Sequence, residues 1–270
     1  MIREPVSVLA AAPPAIEVLS AHKTYPNGTV ALQPVDLTVQ EGEFVTLLGP
    51  SGCGKSTLLK MVAGLLEPTD GRLLLWRKPV AQLEETKRRM AFVFQSPTLM
   101  PRASVEANVR LPLDGRRRAQ RGRRPGRRCA RPRGPQEVCQ GAARALSGGM
   151  QMRVSIARSL VVQPNLLLMD EPFGALDEIT RHKLDSDLLD LWRAKKLTVV
   201  FVTHSIHEAV FLSTRVIMMA ARPGRIVEEV VIDEPYPRKP DFMVTPRFAE
   251  YARHLQESLL RASQETEEVQ

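Results

Sequence analysis

The sequence predicts an α/β fold whose sheet is mixed and mainly parallel, with an antiparallel β subdomain in front of it. From residue 44 onward, short apolar runs alternate with segments of helical periodicity, which is typical of strands joined by helical crossovers. Before residue 40, apolar and polar residues alternate, as they do in strands with one exposed face. A glycine-rich loop joins the first apolar run to the first helical segment, and such loops commonly hold phosphates.

The elements follow in order from this periodicity and from the turn residues between them. Strands of the antiparallel part are predicted at 16–20, 35–39 and 72–76. Buried strands are predicted at 44–48, 91–95, 166–169, 198–203 and 216–220, and helices at 55–66, 148–160, 179–195 and 205–212. Thr245 and Pro246 predict the start of a last amphipathic helix, whose acidic tail after Ser263 is expected to fray.

Composition excludes several classes of protein. The 270 residues are 43% hydrophobic and 25% charged, which suits a domain with a buried core. No apolar run approaches the ~20 residues that cross a bilayer. Residues 1–14 lack the basic start and apolar stretch of a secretory signal, and the three cysteines have no metal-binding spacing. A secreted, membrane-spanning or disordered chain is therefore disfavoured.

A phosphate-binding loop is the first motif with a chemical meaning. Residues 49–56 fit the pattern G-x-x-x-x-G-K-[ST] between a predicted strand and a predicted helix, so the fold is expected to contain a P-loop NTPase core. Backbone N–H groups and the helix N-terminus would surround phosphate oxygens, with Lys55 reaching the β- and γ-phosphates and Ser56 holding Mg²⁺. Cys53 is interpreted as a small filler. The predicted nucleotide-binding residues are Gly49, Pro50, Ser51, Gly52, Cys53, Gly54, Lys55, Ser56 and Thr57.

A second motif narrows the reaction. Residues 166–171 form an apolar strand that ends in two carboxylates. Asp170 would reach the Mg²⁺ next to Ser56, and Glu171 would act as the base for a water in line with the γ-phosphate. An acidic turn that caps the next helix is the alternative for an isolated Asp-Glu pair. Together with the P-loop, the pair predicts an ATPase with ATP and Mg²⁺ as cofactors.

A third motif carries a family resemblance. Leu146-Ser147-Gly148-Gly149-Met150-Gln151 resembles the signature sequence of ATP-binding cassette (ABC) proteins. The family's other landmarks are also present, and they occur along the chain in the same order as in the family. They are Tyr25 as the adenine-stacking aromatic, Gln95 of the Q-loop, Asp177 of the D-loop and the switch histidine His204.

The resemblance implies a dimer of two copies with ATP buried between them. Ser147, Gly148 and Gly149 of one copy would bind the γ-phosphate of the ATP held by the other copy's P-loop. Taken alone, Ser147 could equally be a helix N-cap after a flexible turn. Asp177 would also belong to the nucleotide site.

The resemblance assigns further roles beside the P-loop. His204 would contact the γ-phosphate and the attacking water, and Gln95 would contact Mg²⁺ or water and respond to a membrane partner. The alternatives are a satisfied histidine at a strand end and an exposed loop amide. Tyr25 would stack on adenine, although a half-buried turn aromatic explains it almost as well.

Finer similarity suggests a subfamily. Residues 96–113 and 208–226 are similar to the ATPases of nitrate, sulfonate and taurine importers. This implies a peripheral ATPase on the cytoplasmic face of the membrane, working with transmembrane permease subunits and, indirectly, a solute-binding protein. The ATPase does not touch the solute, so its sequence does not identify it. The predicted domains are a tail at 1–15, the ABC ATPase domain at 16–232 and a C-terminal extension at 233–270.

Residues 114–145 depart from the family, which has an amphipathic helical subdomain there. The segment holds 11 of the 38 basic residues and two acidic ones, so the rest of the chain is close to neutral. Its large apolar residues amount to a single Val, and it contains 5 Gly and 3 Pro, so in isolation it is expected to be disordered.

One hypothesis is that residues 114–145 are read out of frame between two compensating shifts in a GC-rich gene. The hypothesis is wrong if neither other reading frame between Leu113 and Leu146 encodes a helix with periodic Leu and Ala. One alternative is a genuine Arg-rich arm that binds nucleic acid or anionic lipid. The corresponding alternative for function is a soluble ABC ATPase that binds nucleic acid through this arm. The arm has no aromatic residues for base stacking, so nucleic acid is not the favoured partner. Another alternative is an uncoupled product of a damaged gene.

Overall fold

The computed structural model describes residues 13–120 and 143–267. Its strands are β1 (Ile16–Thr24), β2 (Val30–Val39), β3 (Phe44–Leu48), β4 (Asp70–Leu75), β5 (Lys78–Pro79), β6 (Met90–Val93), β7 (Leu166–Asp170), β8 (Thr198–Thr203), β9 (Arg215–Ala220) and β10 (Arg225–Val231). The α-helices of this part are α1 (Lys55–Val62), α2 (Val105–Gln120), α3 (Gly148–Leu160), α4 (Glu178–Lys195), α5 (Ile206–Leu212) and α6 (Pro246–Glu267). None of these helices combines the length and the apolar composition of a membrane span.

Two sheets form the scaffold, and they confirm the predicted fold class. The larger sheet has the order β10-β9-β3-β8-β7-β6 and is parallel except for its edge strand β10. The smaller sheet has the order β2-β1-β4-β5 and is antiparallel. Because β3, β7 and β8 are parallel neighbours, their carboxyl ends meet at one edge of the sheet, where α/β folds place their ligands.

The core lies on both faces of the larger sheet. The strands β3, β7 and β8 are buried along their whole length, which explains their continuous apolar composition. Alternate side chains enter opposite clusters: Phe44 and Leu48 pack with residues of α4 and α5, whereas Val45 and Leu47 pack with α1 and the antiparallel sheet. The sheet edge that carries the P-loop is therefore supported from both sides.

The C-terminal segment is joined to this core through a buried arginine. Arg238 is 6% exposed, and its guanidinium donates hydrogen bonds to backbone carbonyls at the end of α5, among them those of Val210, Phe211 and Ser213. Helix α6 packs on α5 and β9, with Phe248 and Leu255 buried. Residues after β10 thus extend the hydrophobic cluster that contains Phe44 and Leu48.

Most predicted bounds lie within two residues of those in the structure, but β1 extends four residues beyond its predicted end and β2 begins five residues before its predicted start. Strands β3 and β8 match their predicted ranges. Helix α1 ends at Val62, before Leu66, because Gly64 has a φ of 67° that leaves the helical region. Strand β10 was not predicted, since its Glu228 and Glu229 interrupt the apolar alternation.

Two segments for which disorder or fraying was expected are helical in part. Helix α2 continues to Gln120, seven residues into the Arg-rich segment, although it contains Pro112 and Gly115. The Arg and Ala residues near its end are good helix formers, which favours the extension. Helix α6 continues to Glu267, beyond the predicted fraying point at Ser263. Its buried stripe fixes the earlier turns, and Glu and Gln are good helix formers. Residues 121–142, which hold most of the Arg-rich segment, lie outside the described residues.

Candidate nucleotide-binding site

The P-loop lies between β3 and α1, and close backbone contacts fix its path. A Cβ at Gly49 would lie 2.3 Å from the carbonyl oxygen of Met219, so no larger residue fits there. Gly54 precedes α1 with a φ of 90°. Cys53 is fully buried below Gly49, and burial raises the pKa of its thiol. The loop therefore keeps its curvature through backbone packing.

The Lys55 ammonium lies across this loop. Lys55 is 4% exposed, and its Nζ donates hydrogen bonds to the carbonyl oxygens of Gly49 at 2.7 Å and Pro50 at 2.8 Å. Gly52 and Ser51 are exposed at the loop tip, and no atom lies within 4 Å of a Cβ at Gly52. Exposed backbone amides above a buried cation form a suitable cradle for an anion.

Asp170 meets the P-loop at the carboxyl end of β7. The Ser56 hydroxyl donates a hydrogen bond of 2.7 Å to Oδ1 of Asp170, which is 7% exposed. Burial raises the pKa of this carboxyl, while the Ser56 hydrogen bond and the charge of Lys60 act in the opposite direction. The P-loop serine and the carboxyl group at the end of β7 are thus in direct contact.

The donor set at this point fits Mg²⁺. A hydroxyl and a carboxylate are hard oxygen ligands, and Mg²⁺ in nucleotide sites is bound by one or two protein groups together with phosphates and water. Among the described residues there is no cluster of three or more His, Cys, Asp or Glu side chains that would form an all-protein metal site. Ser56 and Asp170 thus suit an ion that arrives with a nucleotide.

Glu171 and His204 face each other beside Asp170. Oε2 of Glu171 lies 3.1 Å from Nδ1 of His204. Glu171 has a φ of 42°, and its backbone N–H donates to the carbonyl of Val202 at 3.0 Å. Backbone conformations of this rare kind occur often at functional sites. The side chain of His204 is 54% exposed, so the pair is open to a ligand.

The predicted signature begins helix α3. Ser147 is its N-cap, and its hydroxyl accepts a hydrogen bond from the Met150 N–H at 3.4 Å. A Cβ at Gly149 would lie 3.2 Å from Thr180 and 3.6 Å from Leu176, whereas one at Gly148 would meet nothing within 4 Å. In this single chain, the signature therefore packs against the start of α4.

Asp177 lies on the same face as the signature. It is the N-cap of α4 and accepts a hydrogen bond of 2.9 Å from the Thr180 N–H, which lowers the pKa of the carboxyl. Two apolar side chains are exposed nearby: Met150 at 44% and Ile179 at 85%. The structure thus places Ser147, Gly149 and Asp177 together, with an open apolar surface around them.

Tyr25 and Gln95 lie at the periphery of the site. Tyr25 follows β1 in a turn, its ring is 37% exposed, and the Lys23 ammonium lies 5.8 Å from the ring centre. The turn leads into β2, where the carbonyl of Ala31 would lie 2.9 Å from a Cβ at Gly54. Gln95 is exposed just after β6, which pairs in parallel with β7, so it shares the edge that carries Asp170.

Sequence reasoning missed the charged residues behind the Glu171–His204 pair. Arg181, Asp185 and Glu208 meet between α4 and α5, and both carboxylates are buried. One signal was present: Ser205 and Glu208 have the S-x-x-E spacing of a capping box, and Ser205 does cap α5. In a capping box, the Glu208 side chain would accept a hydrogen bond from the backbone N–H of Ser205. Here it accepts one from the Thr203 hydroxyl instead.

Comparisons with known proteins place this site in a family. The family model described as ABC transporter matches residues 32–174. The aliphatic sulfonates import ATP-binding protein SsuB of Bacillus licheniformis is 43% identical over 211 residues, which are 78% of this chain and 80% of that protein. An uncharacterized ABC transporter ATP-binding protein of Methanocaldococcus jannaschii is 46% identical over 213 residues, which are 78% of this chain and 79% of that protein.

A solved structure extends the likeness to the fold. It is the dimeric structure of a post-hydrolysis state of an ATP-binding cassette bound to ADP and Pi. It has a TM-score of 0.67 and 30% sequence identity, and the match covers 82% of this chain and 100% of that one.

Proposed function

Because the chain belongs to the ABC transporter family and is an ABC ATPase, we propose that it drives an importer by binding ATP with Mg²⁺ and hydrolysing it. The 2.7 Å hydrogen bond between Ser56 and Asp170 carries this proposal. It joins the P-loop to the end of β7 and leaves Glu171, the next residue, beside the same point. The proposed ATPase domain comprises residues 16–232, with 1–15 as a tail and 233–270 as an extension.

The phosphates of ATP would be held by the P-loop, residues 49–57. Lys55 would exchange its two carbonyl partners for the β- and γ-phosphate oxygens. Ser56 and Asp170, with Gln95, would hold Mg²⁺, which neutralises charge on the phosphates when bound. Tyr25 would stack on the adenine.

Hydrolysis would be carried out by the residues at the carboxyl ends of β7 and β8. Glu171 would orient a water in line with the γ-phosphorus and take its proton as the new P–O bond forms. The bond between the γ-phosphorus and the bridging oxygen breaks, and the electron pair leaves with ADP. His204 would contact the γ-phosphate and, through Nδ1, keep the Glu171 carboxylate in place.

A second copy would complete each site. Ser147, Gly148, Gly149 and Asp177 lie on one face with exposed apolar side chains, and the N–H groups at the start of α3 suit an anion. We infer that this face contacts the ATP on a partner's P-loop in a head-to-tail dimer. The dimeric cassette structure described above supports this arrangement.

The transport role rests on the named relatives. The SsuB protein of Bacillus licheniformis is named for aliphatic sulfonate import, so we propose uptake of a small anionic sulfur- or nitrogen-containing solute. The chain would then be peripheral at the cytoplasmic face of the membrane. It would act with transmembrane permease subunits, and a solute-binding protein would deliver the solute to them.

The enzymatic part is tested with three purified variants and the wild type. The wild type is expected to hydrolyse ATP only with Mg²⁺. Lys55→Ala should lose nucleotide binding or turnover, and Glu171→Gln should bind ATP without hydrolysis and double its mass in light scattering. Glu257→Gln removes an exposed carboxylate on α6 and should match the wild type. Full activity of Lys55→Ala, or a monomeric Glu171→Gln with ATP, would contradict the proposal.

The transport part is tested in cells. A strain lacking the gene should grow poorly when an alkanesulfonate is the sole sulfur source, and normally on sulfate. The wild-type gene should restore growth, and the gene with Glu171→Gln should not. Equal growth of the deletion strain on both sulfur sources would argue against sulfonate as the solute.

A further inference from the structure

A buried charged cluster lies directly behind the proposed catalytic pair. Arg181 and Asp185 are one turn apart on α4, and Glu208 is on α5. Asp185 is 1% exposed and Glu208 is 4% exposed. Two carboxylates are rarely buried in this way without a structural or functional reason, because removing a charge from water is costly.

Arg181 connects this cluster to the loop after β7. Its Nη2 donates a hydrogen bond of 2.9 Å to the carbonyl oxygen of Leu176, the residue before Asp177. Its Nε lies 3.8 Å from Oε1 of Glu208, which is an ion pair rather than a hydrogen bond. Among the described residues, neither of these two atoms has a hydrogen-bond partner.

Glu208 connects the cluster to the loop after β8. Its Oε2 accepts a hydrogen bond from the Thr203 hydroxyl. The oxygen of that hydroxyl in turn accepts from the Ser205 N–H at 2.9 Å. Thr203 and Ser205 flank His204, so Glu208 holds the backbone on both sides of the histidine.

The cluster has a balanced charge when one carboxyl keeps its proton. Burial raises the pKa of Asp185 to about 8, and the neighbouring charge of Glu208 acts in the same direction. Burial also raises the pKa of Glu208, whereas Thr203 and Arg181 favour its ionised form. Near neutral pH, Asp185 is therefore protonated, and Glu208 is the carboxyl that contacts both the Arg181 guanidinium and the Thr203 hydroxyl.

We propose that Arg181 and Glu208 are positioning residues that fix the loop of Leu176 and Asp177 to the loop of His204. The proposal rests on the catalytic roles proposed above for Glu171 and His204. Leu176 and Asp177 lie on the face assigned to the second copy. Binding of that copy would therefore affect the position of His204 through this ion pair. Hydrolysis would then depend on the dimer contact even though neither residue touches ATP.

The test measures ATPase activity of Arg181→Met, Glu208→Gln and the double variant. Each single variant should lower kcat about tenfold or more, because small displacements of catalytic groups have effects of this size. The KM for ATP should stay within about threefold, since the P-loop is untouched. The double variant should be no slower than the slower single variant, because both break one connection. Arg181→Lys, which keeps the charge, should recover part of kcat.

Thr203→Val is a second variant that removes only the hydroxyl held by Glu208. It should lower kcat without changing KM, which keeps the proposal testable if Glu208→Gln does not fold. Asp187→Asn alters an exposed acid on the same helix and is expected to match the wild type. Melting temperatures report folding separately.

Two results would overturn the positioning role. One is a kcat within about twofold of wild type in folded Arg181→Met and Glu208→Gln. The other is a kcat loss in the double variant equal to the product of the two single losses. If Glu171→Gln is inactive while Glu208→Gln is fully active, only the positioning role fails. If Glu171→Gln hydrolyses ATP normally, the proposed function itself fails.

Discussion

Oε2 of Glu171 lies 3.1 Å from Nδ1 of His204, although the two residues follow different strands and are 33 positions apart in the chain. Their contact follows from the parallel register of β7 and β8, in which Asp170 lies opposite Val202. Each residue sits just beyond its strand, so the pairing brings both side chains to one point. The distance between them is thus set by the sheet.

His204→Ala should lower kcat about a hundredfold or more while leaving ATP binding intact, since it removes the group that orients Glu171. Steady-state ATPase assays and nucleotide titration separate the two effects. His254→Ala is a matched control, because His254 of α6 forms a similar pair at 2.7 Å with Glu228 of β10. A His204→Ala variant as fast as that control would remove His204 from the mechanism.

Ser56→Ala should weaken the Mg²⁺ dependence of ATP affinity by about tenfold. The variant removes one proposed metal ligand and also leaves the buried Asp170 carboxylate without its hydrogen bond, which costs about 1–3 kcal/mol. Titration of ATP with and without Mg²⁺ measures the change. Ser263→Ala, a hydroxyl on α6, is the control. An unchanged Mg²⁺ effect in Ser56→Ala would contradict the metal role.

The strands that build the site could be predicted well from sequence, and their surroundings less well. The β3 and β8 runs are continuous and apolar because both faces of each strand are buried, so their bounds are visible in the sequence. Strand β10 carries the partly exposed Glu228 and the exposed Glu229 at adjacent positions, so no apolar alternation marks it, although it pairs with β9 along its length. Burial, rather than strand propensity, decides which elements can be recognised.

The motifs also identified residues without showing their contacts. Ser56 and Asp170 were expected to share a metal, and their direct hydrogen bond adds a geometry that no motif contains. Arg181, Asp185 and Glu208 resemble ordinary solvent-facing charges in the sequence. They become a buried cluster only when α4 and α5 pack together, which is a tertiary event.

Gly224→Ala should weaken ATP binding and lower the melting temperature. A Cβ at Gly224 would lie 2.5 Å from the carbonyl oxygen of Cys53 and 2.6 Å from that of Ala31, and both contacts are with backbone. The P-loop and β2 would have to separate, at a cost of about 1–3 kcal/mol. Gly115→Ala is the control, since a Cβ there meets nothing within 4 Å. Equal melting and ATP affinity in the two variants would show that this close approach does not matter.

Asp185→Asn should change how stability depends on pH. The pKa of Asp185 rises from 3.8 to about 8 on folding, through burial and the charge of Glu208 and against the charge of Arg181. The folded state therefore binds a proton that the unfolded chain releases across this range, so the free energy of unfolding falls as pH rises from about 4 to 8.

The amide introduced by Asp185→Asn cannot ionise, so the free energy of unfolding of this variant should decline less over that window. Between about pH 5 and pH 8, the free energy of unfolding of the variant should rise relative to that of the wild type by on the order of 1 kcal/mol or more. Each unit by which folding raises the pKa contributes an amount of this size. Urea unfolding at a series of pH values measures this difference. Asp187→Asn should follow the wild-type curve, because Asp187 is exposed. If Asp185→Asn also runs parallel to the wild type, Asp185 is ionised in the folded protein, which would contradict the raised pKa.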